Sequence, residues 1–442
     1  VWLLPAFSHV ANATARIYYR LAIAGEKVPA AGPALLVANH PNSLVDPIVV
    51  CAAAGRPVRF LAKAPLFADT KTAWMVRAVG AIPVYRRSDD PTLMDRNRDM
   101  FRAVYAELAR GAAVGIFPEG KSHSEPSLAE LRTGAARIAL GTLEAHGVTV
   151  PIVPVGLVFR QKDVFRSSAV AIVGAPVPWA DVAGGGLSDP EAVRAVTERI
   201  GAALRQVTVN LERWEDGPLV EGAVDIWNAE WDAGTDPVSR VERLDVTARV
   251  LADLRRHPDP RWSDLAREVR AHLRRLARLR LTPASLRAAT DVRTGLAWTA
   301  RRFHLAMPLA LAFAVAGLLL FVVPYQVTGT IVNRMRLAAD TRSTWKLLLG
   351  LAIYAAWIGL LAAGAAVRWG PSGVVGVVIG APLVGLVGLR VRERWRGAWI
   401  DARRFFTLRS RTELINLLRR QQHELAERFK TLYAERVGPN AS

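Results

Sequence analysis

Three uncharged apolar stretches stand close together toward the end of the 442-residue chain: roughly 304–323 (HLAMPLALAFAVAGLLLFVV), 347–367 (LLLGLAIYAAWIGLLAAGAAV) and 371–389 (PSGVVGVVIGAPLVGLVGL). Each approaches the roughly 20 residues that a helix needs to cross a hydrocarbon core. Trp345, Trp369 and Trp395 mark their edges, where an interfacial aromatic belt sits. The pattern predicts an integral membrane protein; its alternative is a set of helices buried in a large soluble core. By the positive-inside rule, Arg301, Arg302, the group Arg334, Arg336, Arg342 and Lys346, and the basic tail all belong on the cytoplasmic side. That requires 304–323, bracketed by Pro308 and Pro324, to re-enter one leaflet, and 347–389 to form a hairpin turning at RWGP.

A formal charge of +19 on a chain that is 51% hydrophobic calls for an acidic partner, either nucleic acid or an anionic bilayer surface. The apolar stretches favour the bilayer. Cys51 is the single cysteine and can close no internal disulfide, so a reducing, cytoplasm-facing setting is expected. No basic segment followed by a cleavable apolar core opens the sequence, so no secretory signal is expected.

Residues 1–25 read as one apolar helix, too short to span and suited to the membrane interface. Over 26–186, short apolar runs alternate with helical segments: ALLVA (34–38), VRFLA (58–62), AIPVY (81–85), AVGIF (113–117), PIVPVGLVF (151–159) and AVAIVG (169–174) predict strands. Between them, Met100, Phe101, Val104 and Leu108 recur at helical spacing over 92–110, with Gly111 as the stop. Such alternation predicts an α/β fold, a sheet sandwiched by helices. Residues 187–302 lose the strand signal and predict a separate helical region, opening on SDPE, a helix start with a capping residue followed by Pro. The membrane-embedded part then occupies 303–390, and 391–442 is a basic tail. In the tail Leu414, Leu417, Leu418, Leu425, Phe429 and Leu432 form an amphipathic stripe, suited equally to an anionic leaflet and to the protein's own surface.

The chemistry concentrates in ANHPNSLVDPIVV (38–50). His40 follows an apolar strand and precedes Pro41, so it sits on a strand-to-helix loop. Asp46-Pro47 is what a helix start looks like, with Asp46 at the cap. On that reading Asp46 caps and His40 is a polar loop residue. The same spacing also serves catalysis: imidazole exchanges a proton near neutral pH, and a carboxylate fixes its tautomer and offsets its charge. GAIPVYRR places Arg86 and Arg87 at a strand end, suited to a phosphate ester. GIFPEGKSHSEP delivers Glu119, Gly120, Lys121 and Ser122 from another strand end. VPIVPVGL puts Val153 and Pro154 where an apolar channel could be walled.

These boxes, in this order, resemble the glycerolipid acyltransferase superfamily, the lysophosphatidic acid and glycerol-3-phosphate acyltransferases, over roughly residues 20–180. The resemblance implies His40 as general base, Asp46 as its partner, Arg86 on the acceptor phosphate, Glu119 and Gly120 in acceptor binding, and VPIVPVG on the acyl side. Five residues separate His40 from Asp46 where the family usually has four. That wording, with FPEGKSHSEPSLAELRTGAARIAL and STWKLLLG, is similar to the fungal-type glycerol-3-phosphate/dihydroxyacetone-phosphate acyltransferase branch. Lys121 stands where a small residue is usual and Ser124 where an acidic one is.

The activity so implied is transfer of a fatty acyl group from acyl-CoA or acyl carrier protein to position 1 of glycerol-3-phosphate, with acylation of lysophosphatidic acid as the alternative. Expected partners are a phospholipid membrane, the acyl donor and a glycerol phosphate or lysophospholipid acceptor, with no nucleic acid. The expected location is the inner membrane, with the catalytic domain on its cytoplasmic face. No cofactor and no metal are expected, since His9, His40, His123 and His146 share no ligand spacing with acidic residues. A metal-dependent hydrolase using His40, Asp46 and His123, or a membrane scaffold without catalysis, is disfavoured by the order of the boxes.

Overall fold

The computed structural model describes residues 4–70, 73–85, 96–231, 236–287 and 307–437. It divides into two compact units, one made of 1–217, 235–252 and 338–344, the other of 218–234, 253–337 and 345–442.

The first unit is built on a seven-stranded sheet, with β1 (Arg20–Gly25), β2 (Ala34–Ala38), β3 (Val58–Lys63), β4 (Ile82–Val84), β5 (Ala113–Ile116), β6 (Ile152–Phe159) and β7 (Ser168–Val173) in the order β1-β7-β6-β2-β5-β3-β4. β2 to β6 run parallel to one another; β7 is antiparallel to β6, and β1 is parallel to β7. All five residues of β2 are buried, as an apolar run in the middle of a parallel sheet must be. From β2 to β3 the chain travels toward one edge of the sheet, and from β4 to β5 and β5 to β6 toward the other. Right-handed crossovers then place the helix Val45–Ala54 on one face and the helices Arg96–Ala109 and Gly134–His146 on the opposite one. Leu35, Val37, Val114, Ile152 and Ile172 pack with Val104, Leu108, Ile138 and Leu140 of the latter two helices in a single core.

The α/β sandwich and its strands β2 to β7 follow the sequence reading. Two boundaries move. The N-terminal segment is not one interfacial helix: the helix Leu4–Tyr18 packs on Val45–Ala54, and Arg20–Gly25 pairs with β7 as an edge strand. Only two of that strand's six residues are even partly buried, too little patterning to signal a strand. The supposed helical region also begins later than 187. The helix Pro190–Val207, capped by Asp189 as its sequence predicts, buries Val193, Val196, Ile200 and Leu204 in the core of the sheet. Its last residue crosses β6 so closely that a Cβ on Gly156 would lie 1.8 Å from the Val207 carbonyl oxygen.

The second unit is helical. The apolar helices Met307–Arg334 and Arg342–Ser410 are long and apolar enough to cross a membrane. Only 11% of each apolar window is buried, and Leu319, Leu351, Leu360 and Val367 are exposed, which excludes the core of a soluble domain as their setting. Gly370 breaks the longer helix at φ 62° and ψ −154°, so its two halves meet at RWGP, where the hairpin is expected. Small residues carry the packing: Gly388 lies where a Cβ would meet the Phe313 carbonyl at 2.6 Å, and Gly385 where it would meet the Phe321 ring at 2.5 Å. The re-entrant reading of 304–323 is not supported, because Pro324 lies inside a 28-residue helix without ending it. The tail helix Thr412–Val437 buries Ile415, Leu418, Leu425, Phe429 and Leu432 and packs on the helix Pro260–Arg278. Its stripe therefore covers the protein's own surface, leaving only Leu414 and Leu417 exposed.

Candidate active site

The carboxyl ends of β2 to β6 share one edge of the sheet. β2 lies where the direction of chain travel reverses, with β5 beside it, and at such a switch point the loops part to leave a crevice. His40 lies two residues beyond β2, and Glu119 three residues beyond β5.

Asn39 anchors the first loop. Its Oδ1 accepts from Leu157 N at 2.7 Å and its Nδ2 donates to Leu157 O at 3.1 Å, so its side-chain amide continues the β2–β6 ladder. The chain then turns, with Ser43 at φ 49° in the left-handed region. Val45 N donates to Asn42 O and Asp46 N to Ser43 O, folding the five-residue spacer into a compact turn. Asp46 comes back beneath His40: His40 Nδ1 and Asp46 Oδ2 are 2.8 Å apart. A carboxylate only accepts, so Nδ1 carries the hydrogen and Nε2 keeps its lone pair. Among the described residues Nε2 has no hydrogen-bond partner.

The capping role read for Asp46 is not what its carboxylate does. Leu44 occupies the N-cap without a side-chain bond, and Asp46 Oδ2 accepts from Asn42 N at 2.6 Å in addition to the imidazole. Complete burial raises the Asp46 carboxyl above its ordinary value; the bond to His40 and its charge, the Asn42 amide and the Lys162 charge oppose this. Asn42, also fully buried, donates through Nδ2 to the Tyr19 hydroxyl at 2.9 Å, and that hydroxyl donates in turn to the Lys162 carbonyl. Burial pushes the Tyr19 hydroxyl far up, so it stays a neutral donor. On the same helix as Asp46, Cys51 is 1% exposed and its thiol is pushed up to about 12 by burial.

The His40 ring lies flat on Phe117, with centroids 4.0 Å apart at 11°, and Phe117 lies on Phe60 at 5.8 Å and 13°. Gly115 makes room for this column, since a Cβ there would lie 2.4 Å from the Phe60 ring. The second loop turns immediately after Phe117: Gly120 N donates to Phe117 O at 3.0 Å, with Pro118 at the turn position it favours and Gly120 at φ 76°. Glu119 is 4% exposed and its carboxylate is fully engaged. Oε1 accepts from His40 N at 2.6 Å, while Oε2 accepts from Ala129 N at 2.9 Å and pairs with His123 Nε2. His123 N donates to His40 O at 3.1 Å, so the two loops are joined on both sides of His40.

His40, Asp46, Glu119, Gly120 and Ser122 are thus brought together. Lys121 is exposed, and Ser122 Oγ donates to Asp340 Oδ2 at 2.5 Å. Val153 and Pro154 are not brought into the site: they pair with Leu36 and Val37 in the middle of the sheet and are buried, so they build β6 rather than the wall of an open channel. Arg86 and Arg87 lie outside the described residues. Tyr85, just before them, is held through both backbone groups by the Asn97 amide, at 3.0 and 2.7 Å. Sequence reading missed Tyr19, Asn39, Asn42, Phe60, Phe117 and Lys162. Asn39, Phe117 and Lys162 carried a signal, their places just beyond the carboxyl ends of β2, β5 and β6; the Lys162 Nζ donates to Pro41 O at 2.9 Å and to Ser124 Oγ at 2.6 Å. No group of three or more His, Cys, Asp or Glu side chains suited to a metal ion occurs among the described residues.

An imidazole oriented by a buried carboxylate, with its other nitrogen open at a sheet's switch point, serves enzymes that take a proton from a hydroxyl during group transfer. The family model described as Acyltransferase matches residues 20–158, so this stretch is an acyltransferase domain, and the relatives it is similar to fit the glycerolipid acyltransferase superfamily. The chain is 26% identical over 268 residues to glycerol-3-phosphate O-acyltransferase 1 of Saccharomyces cerevisiae, covering 57% of this chain and 35% of that one. Glycerol-3-phosphate O-acyltransferase 2 of the same yeast is 34% identical over 130 residues, 29% of this chain and 18% of that one. The chloroplastic 1-acyl-sn-glycerol-3-phosphate acyltransferase LPAT1 of Arabidopsis thaliana is 29% identical over 147 residues, 33% of this chain and 38% of that one. The matches therefore span about a third or less of the yeast relatives' length.

Proposed function

We propose that the protein is a membrane-bound O-acyltransferase that moves a fatty acyl group from acyl-CoA or acyl carrier protein to position 1 of glycerol-3-phosphate. The observation that carries this reading is the His40 Nδ1 to Asp46 Oδ2 contact of 2.8 Å, inside an acyltransferase domain similar to the two yeast enzymes. His40 Nε2 takes the hydroxyl proton as the acceptor oxygen attacks the thioester carbonyl carbon. The tetrahedral intermediate collapses, the carbon–sulfur bond breaks, and the imidazolium returns the proton to the leaving thiolate. Asp46 keeps the ring in the productive tautomer and offsets its transient charge. Arg86 and Arg87 hold the acceptor phosphate.

No metal or cofactor takes part, and activity should survive a chelator. The partners are the phospholipid membrane, the thioester carrier and the phosphate-bearing acceptor, with no nucleic acid. The domain faces the cytoplasm from the inner membrane, where the carrier and the phosphate stay in water while acyl chains enter the bilayer. Similarity to the Arabidopsis enzyme favours a second reading, acylation of lysophosphatidic acid at position 2.

Membranes bearing the full chain, given labelled glycerol-3-phosphate or lysophosphatidic acid with acyl-CoA or acyl carrier protein, separate the two readings. Greater kcat/KM with glycerol-3-phosphate is expected. Wild-type rates from His40→Ala with every acceptor would remove the proposed base.

A further inference from the structure

The helix Met307–Arg334 and the helix beginning at Arg342 are joined by a short link, and residues 338–344 belong to the unit that contains the acyltransferase domain. Three side chains of this segment bond to three separate parts of the site. Asp340 Oδ2 accepts from Ser122 Oγ at 2.5 Å, on the loop that follows β5. Ser343, fully buried, donates through Oγ to the Lys162 carbonyl at 2.6 Å, the same oxygen that takes the Tyr19 hydroxyl. Thr344 Oγ1 accepts from Leu44 N at 3.2 Å, at the start of the helix that carries Asp46, where Leu44 itself supplies no side-chain cap. A buried hydroxyl costs free energy unless it is bonded, and Ser343 is bonded here.

We propose that this link is part of the active site rather than a spacer, with Asp340, Ser343 and Thr344 acting as positioning residues that hold the loops bearing His40, Asp46 and Glu119. The proposal rests on the acyl-transfer reading above.

The charges run along the same line. Lys162 Nζ donates to Pro41 O, the carbonyl next to His40 in the chain. Burial lowers the Lys162 ammonium from its ordinary value, while the charges of Asp340, Asp46 and Asp163 raise it. The Lys162 charge in turn favours the ionised Asp46 that orients His40. Removing the Asp340 charge therefore lets Lys162 lose its proton at lower pH, and Asp46 loses that support with it.

The test uses the full chain in membranes. Asp340→Asn should lower kcat roughly tenfold while both KM values stay within about twofold, the pattern of a misplaced catalytic group rather than lost binding. Asp340→Glu, which keeps both the acceptor oxygens and the charge, should recover part of that loss. A wild-type kcat for Asp340→Asn, or a loss carried by KM with kcat unchanged, would overturn the proposal. Ser343→Ala and Thr344→Val read the same docking where Asp340→Asn does not accumulate: lowered kcat at constant KM supports it, and wild-type kinetics in both overturns it. Wild-type protein that acylates no acceptor would instead sink the reading on which this one rests.

Discussion

The segments that follow β2 and β5 lie side by side and each brings one buried acid, Asp46 from a helix start and Glu119 from a loop, yet the two acids face different partners. Asp46 turns an oxygen to an imidazole N–H and so governs which ring nitrogen can react. Glu119 takes a backbone N–H from His40 and another from Ala129, and pairs with His123. One carboxylate orients the His40 imidazole; the other holds the His40 backbone in place. The resemblance to the superfamily implies acceptor binding for Glu119, and in the structure both of its oxygens bond groups of the protein. Both are buried carboxylates, so the partners decide the role.

The comparison can be broken first at its strongest point. His40→Ala should lower kcat about 1,000-fold or more, as loss of a general base does, with the melting temperature nearly unchanged; intact turnover would end the distinction between the loops. Asp46→Asn comes next, at roughly 100-fold or more in kcat, since the amide can no longer select the Nδ1–H tautomer by acceptance alone. Burial raises the Asp46 carboxyl, so in an isotope-edited infrared titration its protonated band should appear at a pH above the ordinary aspartate range. A band that appears only at the ordinary aspartate value would place the carboxyl in water instead.

Glu119→Gln should behave unlike either. An amide offers one acceptor oxygen to donors that now use two, so stability should drop by about 1–3 kcal/mol in denaturant titration, with kcat falling by roughly tenfold. A steep rise in acceptor KM without loss of stability would make Glu119 a substrate ligand after all. Phe117→Leu removes the platform beneath His40, worth about 0.5–1.5 kcal/mol for an aromatic pair, and should lower kcat more than it raises either KM. Ser43→Gly is the smallest change: relief of a left-handed non-glycine residue should gain about 1 kcal/mol at most, with kcat near wild type.

Much of this was legible beforehand, for physical reasons. Strands β2 to β7 are short, mostly apolar runs bounded by turn residues, and such runs announce themselves locally. The His40–Asp46 pair was legible because one turn joins the loop that bears His40 to the helix start that bears Asp46, and it closes a six-residue separation. β1 was not, because an edge strand with one short ladder needs little apolar patterning. The helix Pro190–Val207 reads as any amphipathic helix, and nothing in it says which core it will join. Tyr19, Asp340 and Ser343 were beyond reach altogether, since each acquires its role from residues more than a hundred positions away. Val153 and Pro154 misled because a Pro-punctuated apolar run suits a channel wall as well as a central strand.

The burial of Cys51 turns the chain's single thiol into a clock. A thiol 1% exposed and pushed up to about 12 cannot be alkylated from the native surface, so each labelling event marks a moment when the helix Val45–Ala54 has opened. Because that helix begins at the residue before Asp46, the labelling rate in intact membranes counts how often the helix that carries Asp46 opens. It does so without an added probe.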